Sequence, residues 1–130
     1  MGLFDKFKSQ RDIAKEEIVE VPWHLITSSD QIDELVAESS NKPIVIFKHS
    51  TTCGISRMVL RSFEKNYTFS EEDIKLYFLD LKKYRSISNE IAERFQVHHE
   101  SPQLIVIKNG KTVHHDSHQG IDADHLKQFI

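Results

Sequence analysis

Pro43-Ile44-Val45-Ile46-Phe47-Lys48-His49-Ser50-Thr51-Thr52-Cys53-Gly54-Ile55-Ser56-Arg57-Met58-Val59-Leu60-Arg61-Ser62-Phe63 changes its hydrophobic period in the middle. Its opening is β-branched and aromatic with proline at the entrance, the pattern of a buried strand. Ser50-Thr51-Thr52 is a polar turn. Beyond it Ile55, Val59, Leu60 and Phe63 recur at helical spacing. The segment reads as strand, turn and helix, with Cys53 at the joint.

The same alternation extends outward. Upstream, Ser28-Ser29-Asp30 supplies capping side chains, and Ile32, Leu35 and Val36 give a helical face that should stop near Ser39-Ser40-Asn41. Downstream, Ile74–Leu81 reads as a strand apolar on both faces. A helix capped by Ser86 or Ser88 then carries Ile87, Ile91 and Phe95. Gln103–Lys108 and Thr112–His115 are strands flanking Asn109-Gly110, the strongest short hairpin signal. Ile121-Asp122 opens a last helix with Leu126 and Phe129 on its inner side. Alternating strands and helices require a parallel pair, and the hairpin adds antiparallel neighbours. The expected architecture is α/β, a central mixed β-sheet flanked by helices on both faces. No internal repeat or low-complexity linker interrupts it.

Composition narrows the function classes. The chain has 130 residues, against a prior of roughly 150 per domain. It carries 17 Lys+Arg and 20 Asp+Glu, a net charge of −3 that offers no basic surplus for phosphates and argues against nucleic-acid binding. No apolar run approaches the ~18 residues of a membrane span. Met1-Gly2-Leu3-Phe4-Asp5-Lys6 begins like a myristoylation site but has Lys6 where Ser or Thr is wanted, and charges break any secretory signal. Residues 1–18 are expected to be a flexible leader and 19–130 the folded domain, without stable membrane association. A single cysteine forms no internal disulfide and no dithiol couple, and the expected compartment is the cytoplasm, where thiols stay reduced.

Cys53 therefore acts alone or with a partner molecule. At a helix amino terminus its sulfur faces unpaired N–H groups and the positive end of the helix dipole, which favour the thiolate. The polar approach through Thr52 implies exposure, against the alternative of a buried cysteine acting as a small hydrophobe. Lys48, His49 and Arg57 lie close enough in sequence to add positive potential. Ser56 stands where a dithiol enzyme carries its second thiol, and its hydroxyl can donate to the Cys53 sulfur. Ser101-Pro102 precedes a core strand; proline must sit at the strand's start or in a bend, and sequence physics alone favours a trans bond there. The eight histidines include His98-His99, His114-His115 and His118, but His114 and His115 point to opposite faces of a regular strand and cannot chelate together, so no metal site is expected. Glu71-Glu72-Asp73 reads as a solvated turn.

The strand-turn-Cys53-Gly54-Ile55-Ser56-helix arrangement, followed by Ser101-Pro102, a strand, Asn109-Gly110-Lys111 and another strand, resembles the thioredoxin-like fold from Val19 to Ile130. In particular, Thr51-Thr52-Cys53-Gly54-Ile55-Ser56 and the leader Met1-Gly2-Leu3-Phe4 are similar to the single-cysteine bacilliredoxins, whose pattern reads Thr/Ser-x-Cys-Pro-Ile-Ser. The resemblance implies a cis Pro102 beside the active cysteine. It also implies a monothiol oxidoreductase that removes bacillithiol from mixed disulfides on client proteins. Cys53 and Ser56 would then be catalytic, and Thr52, Gly54, Ser101 and Pro102 would contact substrate. No cofactor is implied beyond bacillithiol as thiol co-substrate. Gly54 departs from the pattern's proline and moves the motif toward the Cys-Gly-Phe-Ser of monothiol glutaredoxins, which share a [2Fe–2S] cluster between two chains. Cluster carriage is thus the alternative, with a non-catalytic thioredoxin-like adaptor as a third reading.

Overall fold

The computed structural model describes residues 21–130, so the expected leader falls outside the described residues. Five strands form one sheet: β1 (Trp23–Leu25), β2 (Ile44–His49), β3 (Lys75–Asp80), β4 (Gln103–Lys108) and β5 (Lys111–Ser117). Their spatial order is β1-β3-β2-β4-β5. β3 runs parallel to both β1 and β2, whereas β4 is antiparallel to β2 and to β5. The α-helices are α1 (Asp30–Glu38), α2 (Gly54–Asn66) and α3 (Arg85–Phe95).

Strand alternation divides the core. Ile44 and Ile46 of β2 pack with Leu35 of α1 and Ile91 of α3 on one face, and Val45 and Phe47 pack with Val59 and Phe63 of α2 on the other. The central strands are apolar on both faces because helices cover both. The Phe47 and Phe63 rings lie 5.6 Å apart, tilted at 53° to one another, with Trp23 against each. This aromatic cluster lies under α2 and fixes the helix whose first turn carries the site; each such buried ring contributes about 1.5–3 kcal/mol.

Several boundaries differ from the sequence expectation. β1 was not anticipated; it adds a short parallel edge strand beside β3. Ser86 and Ser88 lie inside α3 rather than at its cap, because Asp80 organises the preceding turn: its Oδ1 accepts from Lys82 and Lys83 N–H, and its carbonyl from Tyr84 N–H. The last element is a 3-10 helix, Ala123–Phe129, not an α-helix; Asp122 caps it by accepting from Asp124 N–H. The hairpin turn is as expected, with Asn109 and Gly110 both at positive φ (52° and 76°) as a type I′ turn requires.

Candidate active site around Cys53

β2 ends at His49, and Ser50-Thr51-Thr52 turns the chain into α2. The turn is closed by a hydrogen bond from Cys53 N–H to the Ser50 carbonyl (3.2 Å). Cys53 occupies the helix N-cap with extended backbone (φ −99°, ψ 121°), and its carbonyl accepts from Arg57 N–H. The thiol is free and half-buried, less open than its polar approach implied, while Thr52 and Gly54 beside it are exposed.

Ser56 is fully buried. Its oxygen accepts from Ser50 N–H (3.1 Å), and its hydroxyl pairs with His49 Nδ1 (2.8 Å). The imidazole nitrogen is the one acceptor within reach of the Ser56 hydroxyl among the described residues, so the hydroxyl proton goes to it. The hydroxyl is thus committed to the turn beneath Cys53 and not to the sulfur, unlike the expected contact. Since Ser50 in turn holds Cys53 N–H, Ser56 sets the shape of the loop that presents the thiol. Burial lowers the His49 pKa, the Arg57 charge adds to this and Asp80 opposes it, so the ring is neutral at pH 7 and its Nδ1 is free to accept.

Lys48 and His49 do not add the exposed positive potential expected of them. Both are buried, on opposite faces of β2. Lys48 Nζ donates to the Ser88 carbonyl of α3 (3.0 Å) and lies 3.3 Å from His99 Nδ1. Burial depresses its pKa to about 8. Arg57 is the cation beside the site, and Arg61 and Lys65 continue from it, one helical turn apart, toward the far end of α2. With Gly54, Ile55, Met58 and Ser62 they line an open groove of about 830 Å³ that begins beside Cys53. Ile55 and Met58 are exposed large hydrophobics within it (49% and 72% accessible). The four-residue spacing of this basic row was present in the sequence; only Arg57 was singled out there.

Ser101 and Pro102 come to the same end of the sheet through the β2–β4 ladder. Lys48 pairs with Gln103, so Pro102, one residue further, reaches the level of His49, where the chain turns toward Cys53. The Ser101–Pro102 bond is cis. The Pro102 carbonyl accepts from His118 N–H, whereas the Ser101 backbone N–H and C=O find no hydrogen-bond partner among the described residues. Ser101 Oγ is buried and likewise unpartnered among them.

Gly54 occupies the first position of α2, where a Cβ would meet nothing within 4 Å. Proline suits that position because the N–H is not needed by the helix and φ is already restricted correctly. Gly54→Pro should therefore stabilise the protein by about 0.5–1 kcal/mol through the unfolded chain's lost freedom. A raised midpoint in urea unfolding at unchanged slope is the expected reading, and a lowered one would show that the turn needs glycine.

A central mixed sheet between helical layers, with a thiol at the helix entry and a cis-proline at the facing strand's start, defines a thiol oxidoreductase of the thioredoxin fold. Solved structures agree. The chain is similar to an oxidoreductase with a thioredoxin fold at 34% identity, covering 82% of this chain and 91% of that one, with a TM-score of 0.69. It also superposes on thioredoxin from Malassezia sympodialis (23% identity, 85% and 90% covered, TM-score 0.64). Thioredoxin from Fasciola hepatica matches as well (17%, 81% and 93%, 0.59), and these two relationships show the fold. Residues 24–126 match the model of the monothiol bacilliredoxin BrxC. The chain belongs to the monothiol bacilliredoxin family. Among the described residues no helix is long and apolar enough to cross a membrane.

Proposed function

We propose that this protein removes bacillithiol from mixed disulfides on client proteins. The observation that carries the reading is Cys53, the chain's one thiol, half-buried at the N-cap of α2. Cys53 thiolate attacks the bacillithiol sulfur, the S–S bond to the client breaks, and the client thiolate leaves and takes up a proton. Cys53 is left disulfide-bonded to bacillithiol. With no second cysteine, a free thiol from solution or another protein must attack that adduct to regenerate the enzyme.

Binding follows from the surroundings. The free N–H and C=O of Ser101 suit an extended client segment laid down as an added strand. Thr52 and Gly54 border the sulfur, and the Arg57-Arg61-Lys65 row favours a thiol or client segment bearing negative charge. Ser56 acts as a positioning residue through Ser50. Cytoplasmic clients fit the reduced thiol that the reaction needs.

Incubation with a bacillithiolated client and no free thiol, followed by intact-mass measurement, tests this. One bacillithiol should appear on this chain for each client molecule released as free thiol. A client that stays capped, together with a coloured two-chain species, would establish cluster carriage instead. An uncoloured chain that leaves the client capped would establish the adaptor.

A further inference from the structure

A second constellation lies away from Cys53, where β5 meets the carboxy-terminal 3-10 helix. The β4–β5 ladder carries a bulge: Ile107 pairs with Thr112 but Val106 pairs with His114, leaving Val113 as the extra residue. Bulges re-aim side chains. Thr112 turns to α3, where its hydroxyl donates to the Phe95 carbonyl. His114 and Asp116 instead share the face of Val106 and Leu104, the layer of Ala123 and Leu126. The 3-10 helix crosses that face and brings His125 over them.

The resulting geometry is that of a ligand set. His114 Nε2 lies 2.7 Å from Asp116 Oδ2, and His125 Nδ1 lies 3.5 Å from the same oxygen. One donor atom from each residue fits within 4.8 Å of the other two. Donors around a tetrahedral zinc at ~2.0–2.1 Å stand about 3.4 Å apart, so small side-chain adjustments suffice. Asp122 Oδ2 lies 3.9 Å from His125 Nε2, too far for a hydrogen bond but close enough to place a second negative charge beside the ring. The side chains keep 24–49% exposure, which leaves a path for an ion and a fourth position for water.

We propose that His114, Asp116 and His125 form a binding site for a divalent transition-metal ion of the zinc class, tying β5 to the carboxy-terminal segment. Two neutral imidazoles and one carboxylate suit Zn²⁺, Co²⁺ or Ni²⁺ over Mg²⁺ or Ca²⁺, which prefer all-oxygen sets. The strand alternation that separates His114 from His115 holds, since His115 pairs opposite Ile105 on the other face; the partner is His125, contributed by the tertiary fold.

The test uses the untagged full-length chain carrying Cys53→Ser, because a thiolate is itself a soft-metal ligand. Calorimetric titration with Zn²⁺ should give one equivalent bound, Co²⁺ should develop a visible ligand-field spectrum, and either ion should raise the thermal midpoint. His125→Ala and Asp116→Asn should each weaken binding by at least tenfold and remove the midpoint shift, while His115→Ala should leave both unchanged. Absence of stoichiometric binding overturns the proposal. So does binding that survives His125→Ala or that is lost with His115→Ala.

Discussion

Cys53→Ala should abolish bacillithiol transfer, leaving a rate indistinguishable from that of client and buffer alone, while the fold persists. The sulfur inventory makes the expectation absolute: the other sulfurs belong to two methionines, whose thioethers have no proton to lose and cannot form a disulfide. Met58 is on the same helix and 72% exposed, so it is an internal control for mere sulfur proximity. The fold should persist because the Cys53 side chain makes no capping hydrogen bond, and the turn is held by backbone groups and Ser56. Replacing a side chain that caps nothing lies below the roughly 1 kcal/mol typical of lost caps. Client mass against time, beside circular dichroism, reads both quantities. Transfer that continues in the variant would remove Cys53 from the mechanism.

The strand-turn-helix around Cys53 was legible because two periodicities meet there with little else between them. Each is enforced by burial, Val45 and Phe47 against Val59 and Phe63. Asn109-Gly110 was legible for a local reason, since positive φ at two successive positions selects those residue types. What escaped depends on partners distant in sequence. Trp23-His24-Leu25 is too short to show alternation, and becomes a strand because β3 offers an open edge. The Ser56 hydroxyl was expected to turn to the sulfur three residues away. Its partners, Ser50 N–H and His49 Nδ1, became visible only once β2 and α2 were placed against each other. The basic row on α2 could have been read from its spacing alone, whereas the convergence of His114, Asp116 and His125 required both a bulge and the carboxy-terminal crossing.

Lys48→Met should stabilise the protein near neutral pH, with the gain fading under alkaline conditions. Lys48 is the one fully inaccessible lysine among the described residues; its ammonium meets a carbonyl and a histidine nitrogen but no carboxylate. His99 is itself kept neutral, chiefly by burial and then by the Lys48 charge, so it accepts from Lys48 without offsetting its charge. Burial lowers the Lys48 pKa from 10.5 to about 8. Below pH 8 both folded and unfolded chains hold the proton, and the folded state bears the full cost of the buried charge, up to about 3 kcal/mol. Between about 8 and 10.5 the unfolded chain binds more protons than the folded one, so wild-type stability rises with pH there. Methionine keeps the length and apolar stem, removes the charge, and forgoes one charged hydrogen bond. A net gain of about 1–2 kcal/mol at pH 7 is expected after that loss. Tyr67 and Tyr77 act in the opposite sense above pH 10, because burial raises both phenols and their ionisation then favours the unfolded chain. They are present in both proteins and cancel in the difference. Urea unfolding of the two proteins from pH 6 to 10 should therefore give stability curves that are separated at low pH and converge on the alkaline side. Parallel curves would show that Lys48 keeps its proton throughout. A Met variant less stable at pH 7 would show that the Ser88 and His99 contacts outweigh the cost of burying the charge.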